Sequence, residues 1–170
     1  FDGLNLPTVK FVGLANYVRA FHDPDVGFSA LRTLIWGFVN VPVYLVLSFL
    51  LALILNQDIP GRGLFRTLFY LPSVVPVVAS VMAWKVILDK NVGLLNAFID
   101  IFRPGTAIGW LSNYALQGMT AISVWTGLGF GMVVFLAALQ NIPDELIEAA
   151  RLDGANGRQV LRHITLPLMT

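Results

Sequence analysis

The chain contains no cysteine, few charged residues and only two histidines. Its 170 residues include 11 Lys and Arg and 10 Asp and Glu, and the formal net charge is +1. Without cysteine the chain forms no disulfide and offers no thiolate to a metal, and His22 and His163 are too isolated to indicate a metal site. A net charge near zero, with no basic stripe and no acidic tail, argues against a nucleic-acid-binding protein.

Apolar residues take the place of the missing charges. They make up 56% of the chain and charged residues 12%, which is about half of the charged fraction typical of soluble domains. Three stretches, at about 33–55, 67–88 and 114–139, are apolar for at least the roughly 20 residues that a helix needs to cross a bilayer. The sequence therefore predicts an all-α fold, a polytopic membrane helix bundle with about three transmembrane helices.

Prolines and short polar segments subdivide this bundle. Pro42 lies inside the first span and Pro72 and Pro76 inside the second, so we expect bent helices, because a proline removes a helix hydrogen bond. The short polar turn 56–63 predicts that the first two spans are neighbours. An apolar stripe within 88–113 predicts a short interfacial helix on the membrane surface.

A charged segment, residues 141–163, follows the third span. Pro143 suits the first turn of a helix, and Asp144 and Glu145 favour its positively polarised end. Gly154 suits the left-handed position that ends a helix. We therefore predict a helix of about three turns, a sharp bend, and a second short helix. The first helix has small residues on one side and charges on another, which suits seating in a groove.

The order of residues in this segment matches a known signature. Glu148-Ala149-Ala150 is followed after three residues by Gly154, and then at the family's spacing by Ile164 and Leu166-Pro167. This pattern resembles the EAA loop of ABC importer permeases, and every fixed position is filled. Further segments are similar to the carbohydrate-uptake (MalF/UgpA-like, MetI-like) branch of that family: 11–17, 61–66, 70–72, Trp84 and 93–96.

The resemblance implies that residues 1–170 are part of one ABC transporter transmembrane domain, truncated at both ends. It implies a permease subunit of an ATP-driven importer for a sugar or related solute, in which the EAA loop, 141–167, is cytoplasmic and contains a coupling helix that docks on the ATPase. The residues expected to couple to the ATPase are Glu148, Ala149, Ala150, Arg151, Asp153, Gly154, Ile164, Leu166 and Pro167.

The partners implied are a second permease subunit, two ABC ATPase subunits and an extracytoplasmic solute-binding protein. ATP and magnesium would be bound by the ATPase, so the chain itself is expected to be no enzyme and to hold no cofactor. We expect a multi-pass protein of a prokaryotic inner membrane. The amino end and residues 89–113 would lie outside, and the turn 56–63 and the EAA loop would be cytoplasmic.

Polar residues within the spans are candidates to line the solute path, since such residues often face the interior of a bundle and a tryptophan can stack on a sugar ring. The alternative for them is hydrogen bonding between helices and anchoring at the membrane interface. Gly127 and Gly131 suit close helix packing rather than phosphate binding. The path candidates are Asn40, Gln117, Thr120, Ser123, Trp125 and Thr126.

Two other functions remain open at this point. The EAA loop occurs in importers of many solutes, so a permease for phosphate, peptides or amino acids is one alternative. An ion-coupled secondary transporter is the other, although such proteins usually need intramembrane carboxylates or histidines, and the three spans have none. An inert membrane scaffold would leave the complete EAA signature unexplained.

Overall fold

The structure, a computed structural model, describes residues 11–169. These residues form α-helices and one π-helical turn, without a β-strand. The helices are α1 (Ala15–His22), α2 (Pro24–Leu55), α3 (Arg62–Val74), α4 (Val77–Ile87), α5 (Leu94–Phe102), α6 (Trp110–Asn113), α7 (Ala115–Gln140), α8 (Asp144–Leu152), α9 (Gly157–Val160) and α10 (Leu166–Leu168), with the π-helical turn at Leu161–Thr165.

Two of these helices, α2 and α7, are long and apolar enough to cross a membrane. A third crossing requires α3 and α4 together, and these two are bent by 97° at the break between them. The pair is therefore either one broken span or a re-entrant loop. The described residues thus contain two or three candidate spans.

The first and third predicted spans lie within single helices. α2 begins at Pro24, nine residues before the predicted start at 33, because proline is well tolerated in the first turn of a helix. It then continues through Pro42 to Leu55 as one helix. The third stretch, 114–139, corresponds to α7.

The second stretch, 67–88, is divided rather than merely bent. Val75 ends α3 in an extended conformation, with φ −71° and ψ 133°, and Pro76 is the residue before α4. A residue that precedes a proline is disfavoured in the helical region, because the proline ring crowds its backbone and Cβ. The expected bent helix is in fact two helices joined by this extended residue.

The chain divides into two units at the junction of Val39 and Asn40. The first contains α1 and the amino-terminal part of α2, and none of its described residues is buried. The second contains the rest of the chain and all of the buried core.

In the second unit, glycines allow α2 and α7 to pack closely. A methyl group on Gly127 would lie 3.0 Å from the ring of Tyr44. A methyl group on Gly131 would lie 2.5 Å from Ser48 Oγ and 2.6 Å from the Tyr44 hydroxyl oxygen, which no real side chain could accept. Small residues let helix backbones approach closely in membranes, so these two glycines form the surface of α7 against which α2 packs.

The apolar core continues this contact towards the carboxyl ends of the same helices. Ala52 and Leu55 of α2 pack in one buried cluster with Met132, Leu136 and Leu139 of α7. Residue numbers therefore rise in the same direction along both helices, which means that α2 and α7 run parallel. The partly buried Ile59 and Met169 also contact this cluster. The turn 56–63 and the segment after α7 thus lie at the same end of the bundle.

Gly129, which lies between Gly127 and Gly131, contacts a different helix, α3. A methyl group on Gly129 would clash with the backbone carbonyl oxygen of Phe69 in α3, so α3 and α7 approach at the level of the backbone. The turn 56–63 also makes α3 a neighbour of the end of α2, where Arg66 Nη2 donates a hydrogen bond to the Leu55 carbonyl oxygen at 3.2 Å. The main packing surface of α3 is nevertheless on α7.

Candidate functional site

Three residues separate helix α8 from the end of α7. Pro143 precedes it with φ −61° and ψ 129°, Asp144 and Glu145 occupy its first turn, and Arg151 lies in its last turn. Charges of these signs at these ends each stabilise a helix by about 0.3–1 kcal/mol through its dipole. None of the residues of α8 is buried, so the helix remains open to a partner.

The end of α8 is closed by backbone hydrogen bonds around Gly154. Gly154 has φ +87°, in the left-handed region predicted from the sequence. Its N–H donates to the Arg151 carbonyl oxygen at 3.1 Å, and the Ala155 N–H donates to the Ala150 carbonyl oxygen at 2.9 Å. These two bonds are the Schellman motif, which satisfies the last carbonyls of a helix and reverses the chain.

A second cap starts α9 immediately after this turn. The Gln159 N–H donates to Asn156 Oδ1 at 3.0 Å, and the Asn156 N–H donates to Gln159 Oε1 at 2.8 Å. This reciprocal pair is a capping box. Our sequence interpretation did not include it, although an Asn followed three residues later by a Gln is its recognisable signal. Only Ala155 separates the two capped turns, so the bend after α8 is fixed on both sides.

The outward face of α8 combines charge with an exposed apolar side chain. Glu148 and Leu152 are four residues apart and so lie one above the other, with the exposed Ala149 beside them. Leu152 is 89% exposed. It was not among the predicted site residues, although its spacing from Glu148 could have indicated it. Within the described residues Glu148 and Arg151 form no ion pair with each other, so both charges are open to a partner.

The inner side of α8 borders a shallow groove. The groove has a volume of about 330 Å³ and lies between α8 and the segment that follows it. It brings together four of the predicted coupling positions, Ala150, Asp153, Gly154 and Ile164. Its remaining lining residues are Ala155, Gln159, Val160 and His163.

The signature ends in a widened turn. The Leu166 N–H donates to the Leu161 carbonyl oxygen, five residues back, which makes the turn Leu161–Thr165 π-helical. Pro167 follows directly, and the ring of a proline clashes with the carbonyl four residues before it in a regular helix. The wider turn relieves that clash at His163. Leu166 and Pro167 are exposed at the end of this segment.

The candidate path residues on α7 do not all share one face. Thr120 and Ser123 lie on the side of Gly127, towards α2, and are half-buried. Trp125 lies two residues after Ser123, about 200° around the helix, and its ring packs edge-on against Trp84 of α4 at 5.4 Å. A single continuous face therefore cannot contain both Ser123 and Trp125.

Two of the candidate path residues on α7 use their hydroxyl groups within their own helix. The hydroxyls of Thr120 and Thr126 donate to carbonyls of their own helix, those of Leu116 at 2.8 Å and Ile122 at 2.7 Å. Gln117 is exposed.

Asn40 of α2 lies one turn before Tyr44, on the face that meets α7. Its Oδ1 is buried without a hydrogen-bond partner among the residues that the structure describes.

Comparison with known proteins assigns this arrangement to a family. The family model for the inner membrane component of binding-protein-dependent transport systems matches residues 26–170. The chain belongs to this family. Its members are the membrane permeases of ABC importers, so the predicted resemblance and the predicted all-α membrane bundle are confirmed. A permease of this kind is a membrane component and not itself an enzyme.

Individual relatives agree with this assignment. The permease is 34% identical over 166 residues to the trehalose/maltose transport system permease protein MalF of Thermococcus litoralis, covering 96% of this chain and 56% of that protein. It is 33% identical over 162 residues to the sn-glycerol-3-phosphate transport system permease protein UgpA of Yersinia enterocolitica, covering 95% of this chain and 55% of that protein.

The fold agrees with a solved transporter as well. The crystal structure of a bacterial ABC transporter involved in the import of the acidic polysaccharide alginate matches with a TM-score of 0.81 at 25% identity, covering 95% of this chain and 58% of that one. The chain thus spans a little more than half the length of these relatives.

Proposed function

We propose that this permease forms part of the translocation path for a sugar or related solute, and that its EAA loop, 141–167, transmits movement from an ATPase subunit. ATP and magnesium are bound by that partner, and this chain holds no cofactor. The further partners are a second permease subunit, a second ATPase subunit and an extracytoplasmic solute-binding protein.

The outward face of α8 is the observation that carries the coupling proposal. Covering the side chain of Leu152, which is 89% exposed, would remove apolar surface from water, and the same groove could pair with Glu148 beside it. Ala149, with its small side chain, allows the partner to approach the helix closely. The signature residues Ala150 and Gly154 lie behind this face and hold the turn that ends it.

The connection between α7 and α8 supports transmission of force. Ile142 is buried between the two helices, at 7% exposure. The Asn141 and Ile142 N–H groups donate to the carbonyls of Ala138 and Leu139, both at 3.3 Å. Because the link is short, hydrogen-bonded and anchored by the buried Ile142, a displacement of α8 moves the carboxyl end of α7 rather than being absorbed by the loop. Such rocking of helices around a central site is the usual basis of alternating access.

The names of the relatives support a sugar as the solute. They include trehalose/maltose, glycerol-phosphate and starch-degradation transport systems and an alginate importer. In this chain Asn40, Thr120 and Ser123 lie where α2 meets α7, and the unpartnered Asn40 Oδ1 is an acceptor that a solute hydroxyl would satisfy. Trp125 and Gln117 remain candidates on other faces of α7, as does Thr126.

The parallel arrangement of α2 and α7 supports the proposed topology. The turn 56–63 and the EAA loop lie at one end of the bundle, which we assign to the cytoplasm of a prokaryote because the ATPase is there. Residues 89–113 and the amino end are then extracytoplasmic.

The coupling proposal is tested by reversing one charge on α8. We expect Glu148→Arg, in the full-length permease assembled with its partners, to lower recovery of the ATPase subunit by at least tenfold, because an unpaired charge buried in an interface costs about 2–5 kcal/mol. The matched control is Asp25→Arg, the same charge change in the first turn of α2. Both variants are quantified in the membrane and after co-purification with the partner permease and ATPase.

Equal recovery of the ATPase with both variants would show that α8 is not the docking element. Solute class is tested separately, by uptake of maltodextrins, glycerol phosphate, phosphate, peptides and amino acids into vesicles. Uptake confined to the non-sugar solutes would replace the sugar proposal with the non-sugar permease. Uptake driven by an ion gradient without ATP would favour the secondary transporter instead.

A further inference from the structure

Asn96 is a buried polar residue that the functional loop does not involve. It lies in α5, in the segment between α4 and α7, and is 6% exposed. Its Nδ2 donates to the carbonyl oxygens of Lys90 at 2.9 Å, Ile108 at 2.9 Å and Asp89 at 3.3 Å. Its Oδ1 accepts from Trp110 Nε1 at 2.9 Å and from the Ile108 N–H at 3.4 Å. One side chain thus organises most of this segment.

The hydrogen-bonding capacity of Asn96 is fully used. An amide side chain has two N–H groups and one oxygen with two lone pairs, and here each of them has a partner. The orientation of the amide is decided by its surroundings. A reversed amide would direct its N–H groups at two other donors, the Trp110 indole and the Ile108 N–H, and its oxygen at three carbonyls. The site therefore requires an asparagine rather than any polar residue of that size.

The partners of Asn96 lie next to two different spans. Asp89 and Lys90 follow the end of α4 after the single residue Leu88. Gly93 allows the chain to turn there, since a side chain at Gly93 would clash with the Asp89 carbonyl oxygen. Ile108 and Trp110 lead into α6, and α6 is joined to α7 by the single residue Tyr114. The bonds from Asn96 consequently cross from the end of α4 to the start of α7, at the end of α7 opposite the EAA loop.

We propose that Asn96 is a positioning residue for transport, which clamps the end of α4 to the start of α7 so that the broken span and α7 move as one body. The proposal rests on the proposed function in one respect: it takes the joint movement of the broken span and α7 to be part of solute transport. The edge-on pair of Trp84 and Trp125 already holds these helices together by their apolar faces. Asn96 adds a directional restraint, because hydrogen bonds fix angle as well as distance.

The clamp is tested with Asn96→Asp, which keeps the size of the side chain but replaces its two N–H donors with a second acceptor facing three carbonyls. The control is Asn91→Asp, the same chemical change at an exposed position of the same segment. The chain lacks cysteine, so spin labels can be placed in it only where cysteines are introduced. We place them at Val86 of α4 and Met119 of α7, which are 61% and 51% exposed.

In the assembled transporter we expect one narrow distance between these labels, in both nucleotide-free and ATP-bound states. Asn96→Asp should increase the population of other distances by about tenfold. Leaving buried carbonyls without a hydrogen bond destabilises the clamped state by roughly the free energy that corresponds to a tenfold change in an equilibrium constant. Trp110→Phe, which removes one bond and keeps an aromatic ring, should give a smaller broadening and guards against a folding defect in the Asp variant. An unchanged distribution in both variants would overturn the clamp.

A second readout distinguishes positioning from simple stability. If Asn96 couples the two spans, Asn96→Asp raises the ATP hydrolysed per solute molecule imported, while Asn91→Asp does not. Broadened distances with an unchanged ratio would reduce Asn96 to a structural role and overturn the positioning proposal. If the wild-type protein imports nothing on ATP hydrolysis, the proposed function fails, but the distance measurement still decides whether the clamp exists.

Discussion

At the scale of single residues, three glycines of α7 illustrate how spacing assigns neighbours. Gly127 and Gly131 are four residues apart and face Tyr44 and Ser48 of α2, whereas Gly129 between them faces the backbone of α3. Residues two apart are about 200° apart around a helix, so a glycine at every second position opens two sides of α7. The sequence predicts close packing at Gly127 and Gly131, but only the structure shows which helix each glycine meets.

We expect Gly131→Ala to destabilise the permease, because the added methyl would lie 2.5 Å from Ser48 Oγ. Overpacking of this kind costs about 1–3 kcal/mol. The control is Gly37→Ala in α2, where no atom lies within 4 Å of the new methyl and alanine is the better helix former. Thermal unfolding in detergent should show a lower midpoint for Gly131→Ala and an equal or higher one for Gly37→Ala; the same midpoint in both would contradict the packing described.

Asp89 offers a pH-dependent readout at the same scale. Backbone hydrogen bonds from Val92 and then Asn91 lower the pKa of the Asp89 carboxyl in the folded chain. Because the folded pKa is lowered, the carboxylate stabilises this turn at all pH values above its unfolded pKa. That stabilisation is lost as the pH falls through the lowered value.

Hydrogen exchange of the Asn91 and Val92 amides, corrected for intrinsic rates, should therefore show constant protection from neutral pH down to about pH 4, and loss of protection in more acidic solution. The Asp89→Asn variant has no charge to titrate, so its protection should lack this step. A step of the same size in both proteins would assign it to another group.

At the scale of elements, the end of α8 depends on backbone conformation and not on space. Both Gly154 and Gly157 have open space where a side chain would be, but only Gly154 has a positive φ, +87°. A left-handed conformation costs a residue with a Cβ roughly 1–2 kcal/mol. The two glycines therefore form a matched pair in which steric contact is held constant.

We expect Gly154→Ala to loosen the turn after α8 and Gly157→Ala to leave it intact. The first variant should increase exchange of the amides of residues 154 and 155 by about five- to thirtyfold, the factor that 1–2 kcal/mol represents. It should also reduce the ATPase activity stimulated by solute in the assembled transporter. Equal exchange in the two variants would mean that the Schellman bonds do not hold the turn.

At the scale of the whole molecule, the parallel course of α2 and α7 determines which segments share a side of the membrane. Two parallel spans require the chain to cross once between them, and α3 with α4 is the only pair available for that in the residues 56–114. We therefore expect the bent pair to act as a broken span rather than as a re-entrant loop.

Cysteine labelling tests this topology directly. Single cysteines at Gln57, Asn91 and Arg158 occupy the turn 56–63, the segment after α4 and the EAA loop. With a membrane-impermeant maleimide we expect Gln57→Cys and Arg158→Cys to react only in inside-out vesicles, and Asn91→Cys only in right-side-out vesicles. Labelling of Asn91→Cys from the same side as Gln57→Cys would show that α3 and α4 re-enter and leave on the same face.

Much of this architecture follows from local patterns. Runs of apolar residues predict α2 and α7, and Pro143 and Gly154 predict the bounds of α8 to within a residue or two. The break at Val75 was underestimated, because the effect of a proline on the residue before it is local but the 97° change in direction depends on what the two halves pack against. The exposure of Leu152 was not predicted, because exposure depends on the folded chain around a residue. The hydrogen bonds of Asn96 were not predicted either, because their partners lie outside a short sequence window.

By itself, the sequence determined that this is an all-helical membrane permease with an EAA loop, since hydropathy, helix caps and signature spacing are all encoded within short stretches of chain. Only the tertiary structure decided that α2 and α7 run parallel, that the α7 glycines serve two different helices, and that Asn96 joins the ends of two spans. Each of these depends on at least one pair of residues 12 or more positions apart meeting in space, and that outcome is set by the packing of the whole bundle.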